Sequence, residues 1–221
     1  MLLLCWFAPP FDYKVSGMNW QEFSALLVLA TAMSFTPGPN TTLSTALAAN
    51  YGLRRAMPFV LAVPAGWGVL LTFCTLGLGA LVLAVPLLSL AVKVIGVTYL
   101  LWLAFKLAFK TQRLGEAGNK PLNVTFWQGA ALQFVNIKAW MLALAIVSGW
   151  IAGRADPGLR FAVVLPVMLA YAFFSNLTYA LAGSLLRRWL DGPDGTSRRL
   201  VAFNRVMALV LVFTALWMLF I

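Results

Sequence analysis

Six apolar stretches, at residues 22–49, 57–82, 86–109, 126–151, 159–186 and 200–221, run along the chain. Five shorter connections between them hold most of the charge, and the longest polar one covers 110–125. About 20 consecutive apolar residues suffice for a helix to cross the hydrocarbon core of a bilayer. The pattern therefore predicts an all-α polytopic membrane protein with six transmembrane helices, their bounds good to a few residues.

The basic residues fall unevenly between the two sets of connections. Those joining spans 1–2, 3–4 and 5–6, with their flanking turns, carry Arg54, Arg55, Lys106, Lys110, Arg113, Lys120, Arg187, Arg188, Arg198, Arg199 and Arg205. The opposite side carries Lys14, Arg154 and Arg160, while Lys93 and Lys138 fall inside spans. Basic loops stay in the cytoplasm, so this bias puts both termini outside. Six helices also divide into two units of three, 18–109 and 126–221, joined by the basic linker. Because three is odd, the second unit would sit upside down relative to the first, as an inverted repeat. Each unit opens with an apolar helix interrupted by polar residues, followed by a proline-bearing helix (Pro58 and Pro64; Pro166).

Composition narrows the function classes. Of the 221 residues 62% are hydrophobic and 10% charged, more apolar surface than one soluble core of this length could hide. The net charge of +10 is that of a membrane protein's loops, so no nucleic-acid partner is expected. The chain has no histidine, which removes Ser-His-Asp chemistry, His-ligated haem and imidazole-bound zinc. Cys5 and Cys74 form no CxxC pair, and Cys74 reads as a small apolar packing residue. No cofactor is expected. Residues 1–17 have no basic lead and carry Pro9-Pro10, unlike a cleaved signal peptide. Met18 is the expected start, with 1–17 a doubtful extension; the alternative is a short segment in the membrane interface.

Three polar clusters interrupt the spans. In the first span, Thr36-Pro37-Gly38-Pro39-Asn40-Thr41 cannot form an unbroken helix. Each proline removes a donor, clashes with the preceding turn and pushes its predecessor from helical angles. A second half-helix starting near Pro39–Asn40 would turn free N–H groups and a positive dipole end into a cavity, which suits a carboxylate. The alternative is a packing kink in which Asn40 and Thr41 satisfy each other locally. In the fourth span, Gln133 and Asn136 lie at helical spacing on one face, and Lys138 is an intramembrane cation. Lys138 either binds a carboxylate, steadies a neighbouring loop through carbonyls, or snorkels to the interface. In the fifth, Tyr171, Asn176 and Tyr179 either line the same cavity or bridge helices. Gly149-x-x-x-Gly153 matches a helix-contact spacing. No Asp or Glu lies deep in a span, which weakens metal-ion transport more than transport of zwitterions.

The lead Asn19-Trp20-Gln21-Glu22-Phe23, then Thr36-Pro37-Gly38-Pro39-Asn40, then Gln133…Asn136-Ile137-Lys138-Ala139, resembles the lysine-exporter and homoserine/threonine-resistance (LysE/RhtB) superfamily over about residues 18–221. The resemblance implies a bacterial inner-membrane permease that exports amino acids or close derivatives, driven by the proton or membrane potential. It also implies six helices in two inverted units. Pro37, Gly38, Pro39 and Asn40 match the first motif; Asn136, Lys138 and Ala139 match the second. One position departs from it: the family's Asn-Pro-Lys is Asn136-Ile137-Lys138 here. That leaves open whether the fourth helix is broken or continuous, and with it how symmetric the two halves are.

The expected function is efflux of small zwitterionic amino acids by alternating access. The substrate site is expected at Pro37, Gly38, Pro39, Asn40, Thr41, Gln133, Asn136, Lys138 and Asn176. Partners are the amino acid and the lipid bilayer, with a homo-oligomer left open. Rival readings are a small-ion or metal efflux protein and a non-transporting membrane subunit. An enzyme is least expected, because no nucleophile–base pair can be assembled without histidine or buried carboxylates.

Overall fold

The computed structural model describes residues 17–109, 124–191 and 198–220. Residues 1–16 of the N-terminal extension and 110–123 of the linker lie outside the described residues. The described chain is built of α-helices: α1 (Trp20–Phe35), α2 (Pro39–Tyr51), α3 (Leu53–Thr75), α4 (Leu78–Ala84), α5 (Pro86–Phe109), α6 (Phe126–Val135), α7 (Ile137–Ile146, continued by a π-helical turn Val147–Ile151), α8 (Pro157–Asp191) and α9 (Arg198–Trp217). Four of these, α3, α5, α8 and α9, are long and apolar enough to cross a membrane, and α6 with α7 makes a fifth if the bent pair is one span. This is a multi-pass helical membrane protein.

Local sequence explains where the helices start and stop. Asn19 caps α1 by accepting from the Glu22 N–H (2.8 Å), and the Glu22 carboxylate returns to the Asn19 N–H (3.2 Å). Thr125 and Gln128 make the same reciprocal cap on α6. The predicted second span, 57–82, is shorter than expected at its far end. There α3 stops at Thr75, Gly77 takes a left-handed conformation (φ 91°), and α4 forms a separate short helix before Pro86 starts α5.

The fourth span answers the question left by Ile137. It is not continuous: α6 and α7 meet at Asn136, whose backbone is extended (φ −93°, ψ 100°), and the two halves are bent by 68°. Proline is not needed because other groups serve the broken turn. The Trp140 indole donates to Phe134 O (2.7 Å), and Asn136 O receives the N–H groups of Ala139 and Trp140, starting the new helix. Gly96 on α5 completes the arrangement: a Cβ there would stand 2.1 Å from Val135 O, so only glycine lets α5 lie against the break.

Packing is inverted relative to a soluble protein. α2 carries Asn40, Thr41, Thr42, Ser44, Thr45 and Asn50, yet Thr41 through Ala49 are all buried. It lies against α8, α3 and α9. Lipid cannot hydrate these side chains, so the most polar helix occupies the centre. The apolar residues Leu87, Val94, Ile95 and Phe105 of α5, with Val206, Leu209 and Phe213 of α9, are exposed and form the lipid-facing surface. One end of the bundle gathers Ala49, Leu190 and Leu200 from α2, α8 and α9. The other gathers Glu22 of α1 with Arg154 and with Arg160 of α8.

Candidate functional site

Both helix breaks open onto one cavity of about 60 Å³. Of the nine residues expected at a site, Gly38, Pro39, Asn40, Thr41, Asn136, Lys138 and Asn176 line it. Pro37 does not; it is exposed, and its part is to terminate α1. Gln133 does not line it either, being fully buried behind Asn40. The bend at Asn136 leaves Gln133 within α6 and places Lys138 on α7.

The first break is bound up with its surroundings. Pro37 and Pro39 lack the N–H groups that Met33 O and Phe35 O would receive in a helix. The Tyr179 hydroxyl donates to Phe35 O (2.8 Å), the Lys138 ammonium donates to Thr36 O (2.8 Å), and the Thr36 hydroxyl donates to Ala32 O. Lys138 thus steadies the first break through a carbonyl, one of the roles expected of it, and sits at the negative end of α1. Tyr171 and Tyr179 bridge to α1, Tyr171 through the Thr31 hydroxyl (3.1 Å), and neither lines the cavity. Gly38 leaves room for the lysine: a Cβ there would be 3.3 Å from Lys138 Cδ and 3.4 Å from its Nζ.

Beyond the break, Gly38 N–H is held by the Thr41 hydroxyl (2.9 Å), and Thr42 N–H bonds Gly38 O (2.9 Å). The N–H groups of Asn40 and Thr41, in the first turn of α2, have no helical acceptor. Those of Ile137 and Lys138 stand likewise at the start of α7. Two helix N-termini, each with its positive dipole end, therefore meet at the cavity. Lys138 is the only charged side chain among the described residues lining it. Asn136 Oδ1 is buried and has no hydrogen-bond partner among the described residues. An acceptor left so in a low-dielectric interior favours a donor from a bound molecule.

Amide pairs hold the elements around this cavity. Asn40 and Gln133 bond reciprocally (2.9 and 3.2 Å), joining α2 to α6, and Gln133 also donates to Gly129 O (3.1 Å). Ser44 donates to Asn176 Oδ1 (2.9 Å), joining α2 to α8. Sequence reasoning missed a second reciprocal pair, Asn50 with Asn204 (2.7 and 2.9 Å), and the ion pairs of Glu22 with Arg154 and Arg160 (3.1 Å each). The signal for Asn204 was an amide inside an apolar run. For Arg160, buried at 8% exposure, it was a base on the side that has few. Trp67 and Met168 also line the cavity, and nothing in an apolar run distinguishes them from packing residues. Gly149 and Gly153 have nothing within 4 Å of a Cβ, so their spacing marks no helix contact among the described residues.

The sequence profile of the LysE type translocators matches residues 31–220. The chain is similar to proteins named "Cysteine/O-acetylserine efflux protein". In Escherichia coli (strain K12) the identity is 33% over 192 residues, 85% of this chain and 91% of the relative. In Salmonella typhimurium it is 28% over 193 residues, 87% and 94%. In Klebsiella pneumoniae it is 29% over 165 residues, 75% and 83%. No solved structure matches the chain.

Proposed function

The chain belongs to the LysE type translocator family, and from that premise we propose that it is an efflux permease for small zwitterionic amino acids of the bacterial inner membrane. The observation that carries this reading is the meeting of two helix N-termini and Lys138 at one cavity. A substrate carboxylate accepts from the Asn40 and Thr41 N–H groups and lies beside the Lys138 ammonium. The substrate ammonium donates to Asn136 Oδ1 and to the end of α1, where Met33 and Ser34 line the cavity and Pro37 has left Met33 O without its helical donor. Relatives named for efflux of cysteine and O-acetylserine, both zwitterions with an uncharged side chain, support the substrate class.

On this reading α1 and α2 together make the first span, as α6 and α7 make the fourth, and the spans number six. The units are then α1–α5 and α6–α9, inverted relative to one another, with both termini outside and the arginine-rich ends of α3, α8 and α9 in the cytoplasm. One correspondence between the halves supports this: each begins with a broken helix. Two further contacts join one unit to the other, α2 on α8 and α6 on α3, each sealed by a glycine. Gly183 lies against the Thr45 backbone and Gly66 against that of Ala130. Two clasps cross between the units on opposite sides of the cavity, Glu22 with Arg154 and Arg160 outside and Asn50 with Asn204 inside. Alternating access opens one while the other stays closed.

The test is release of amino acids from bacterial cells loaded through dipeptides, with and without the protein. Faster release of small zwitterions is the expected result. Unchanged release of every amino acid, with the protein present in the membrane, overturns the reading.

A further inference from the structure

The cavity wall is divided by chemistry. Its polar part, with Asn40, Asn136, Lys138, Ser175 and Asn176, stands at the two breaks and along α8. Its apolar part is formed by Met33, Val63, Trp67, Leu142 and Met168. Trp67, Leu142 and Met168 belong to one buried cluster contributed by α3, α7 and α8. Trp67 is 4% and Met168 1% exposed, so each is packed over nearly all of its surface and only an edge reaches the cavity. Such a wall does not yield to accommodate a larger occupant, because protein interiors are close-packed and extra methylenes force shifts of side chain or backbone.

If the carboxylate and ammonium of a substrate are held at the breaks, its side chain points at this wall. We infer that Trp67 and Met168 determine specificity, restricting the permease to amino acids with a short, uncharged side chain. The inference rests on the amino-acid reading of the cavity. Length is limited by the 60 Å³ available, room for about four to six water molecules. Charge is limited by what lines it. Two positive helix ends and Lys138 repel a second cation, and no carboxylate stands among the lining residues to receive one. A single methylene in such a pocket is worth about tenfold or more in discrimination.

The test uses the purified full chain in proteoliposomes loaded with equal serine, leucine and lysine, each labelled, and reads the ratios of their release. The wild type is expected to release serine well ahead of leucine and lysine. Met168→Ala and the conservative Trp67→Phe each enlarge the pocket and should raise the leucine-to-serine ratio by about tenfold. Ala172→Leu, on the same wall, should lower release of every substrate larger than serine. Lysine stays excluded in all three, since Lys138 is untouched. If a variant fails to fold, either of the other two still decides the matter, because each acts on the wall from a separate position. Leucine-to-serine ratios unmoved in the folded variants, with serine release intact, overturn the inference and leave the permease reading standing. Wild-type release of leucine or lysine as fast as serine also overturns it. No release of any amino acid overturns both.

Discussion

Replacing Gly183 by alanine places a methyl group where α8 and α2 touch. The new Cβ would stand 2.2 Å from Thr45 O and 3.0 Å from both Thr45 C and Cα. Ordinary van der Waals contact begins near 3.4 Å, so the two backbones must part by about 1 Å. The atoms that would have to yield are main chain, with no rotamer available to relieve the clash. Overpacking of this kind costs typically about 1–3 kcal/mol, and a backbone contact puts Gly183→Ala toward the upper end. The displacement also reaches the cavity, since Thr45 is one turn from Thr41 and hydrogen-bonds its carbonyl (2.8 Å). Unfolding in mixed micelles, titrated with denaturing detergent, measures the loss. Gly149→Ala is the control: nothing lies within 4 Å of its Cβ, and its stability should stay within about 0.5 kcal/mol of wild type. Equal stability of the two variants would refute the close approach of α2 and α8. A larger loss at Gly149 would restore the helix-contact reading of its spacing.

Other perturbations test the breaks and clasps. Asn40→Ala and Gln133→Ala, combined in a double-mutant cycle, should show a coupling of about 1–2 kcal/mol from their two mutual hydrogen bonds, and additive effects would deny the pair. Replacing Pro37 and Pro39 together by alanine should leave membrane insertion intact and abolish efflux, and normal efflux by that variant would sink the broken-helix mechanism. Lys138→Met removes the donor to Thr36 O and the cavity's cation, so efflux should fall by tenfold or more, roughly one charge-assisted hydrogen bond. Glu22→Gln leaves Arg160 buried without its carboxylate and should lower stability by about 1–3 kcal/mol; an unchanged unfolding midpoint would show that the outer clasp contributes nothing.

The apolar pattern located helices well because the bilayer imposes one length and one polarity on them. The third span, 86–109, coincides with α5, and Pro37–Pro39 marked the first break because proline chemistry is local. The break at Asn136 was not legible in the same way. Its causes are tertiary: the indole of Trp140 reaching Phe134 O, and Gly96 on α5 admitting Val135 O. Polar residues announced the polar half of the cavity, since an amide or lysine in an apolar run must find a partner. Trp67 and Met168 carried no such signal, because a residue in an apolar span looks alike whether it meets lipid, core or cavity. Glu22 and Arg160 lie 138 positions apart, and only the fold brings their charges together.

The claim that free N–H groups and Lys138 hold a carboxylate is tested most directly by competition in proteoliposomes. Serinamide has the size and ammonium of serine but an uncharged carboxamide in place of its carboxylate. Labelled serine efflux should be inhibited by excess unlabelled serine and left unaffected by serinamide. Equal inhibition by the two would contradict carboxylate binding at the paired helix N-termini.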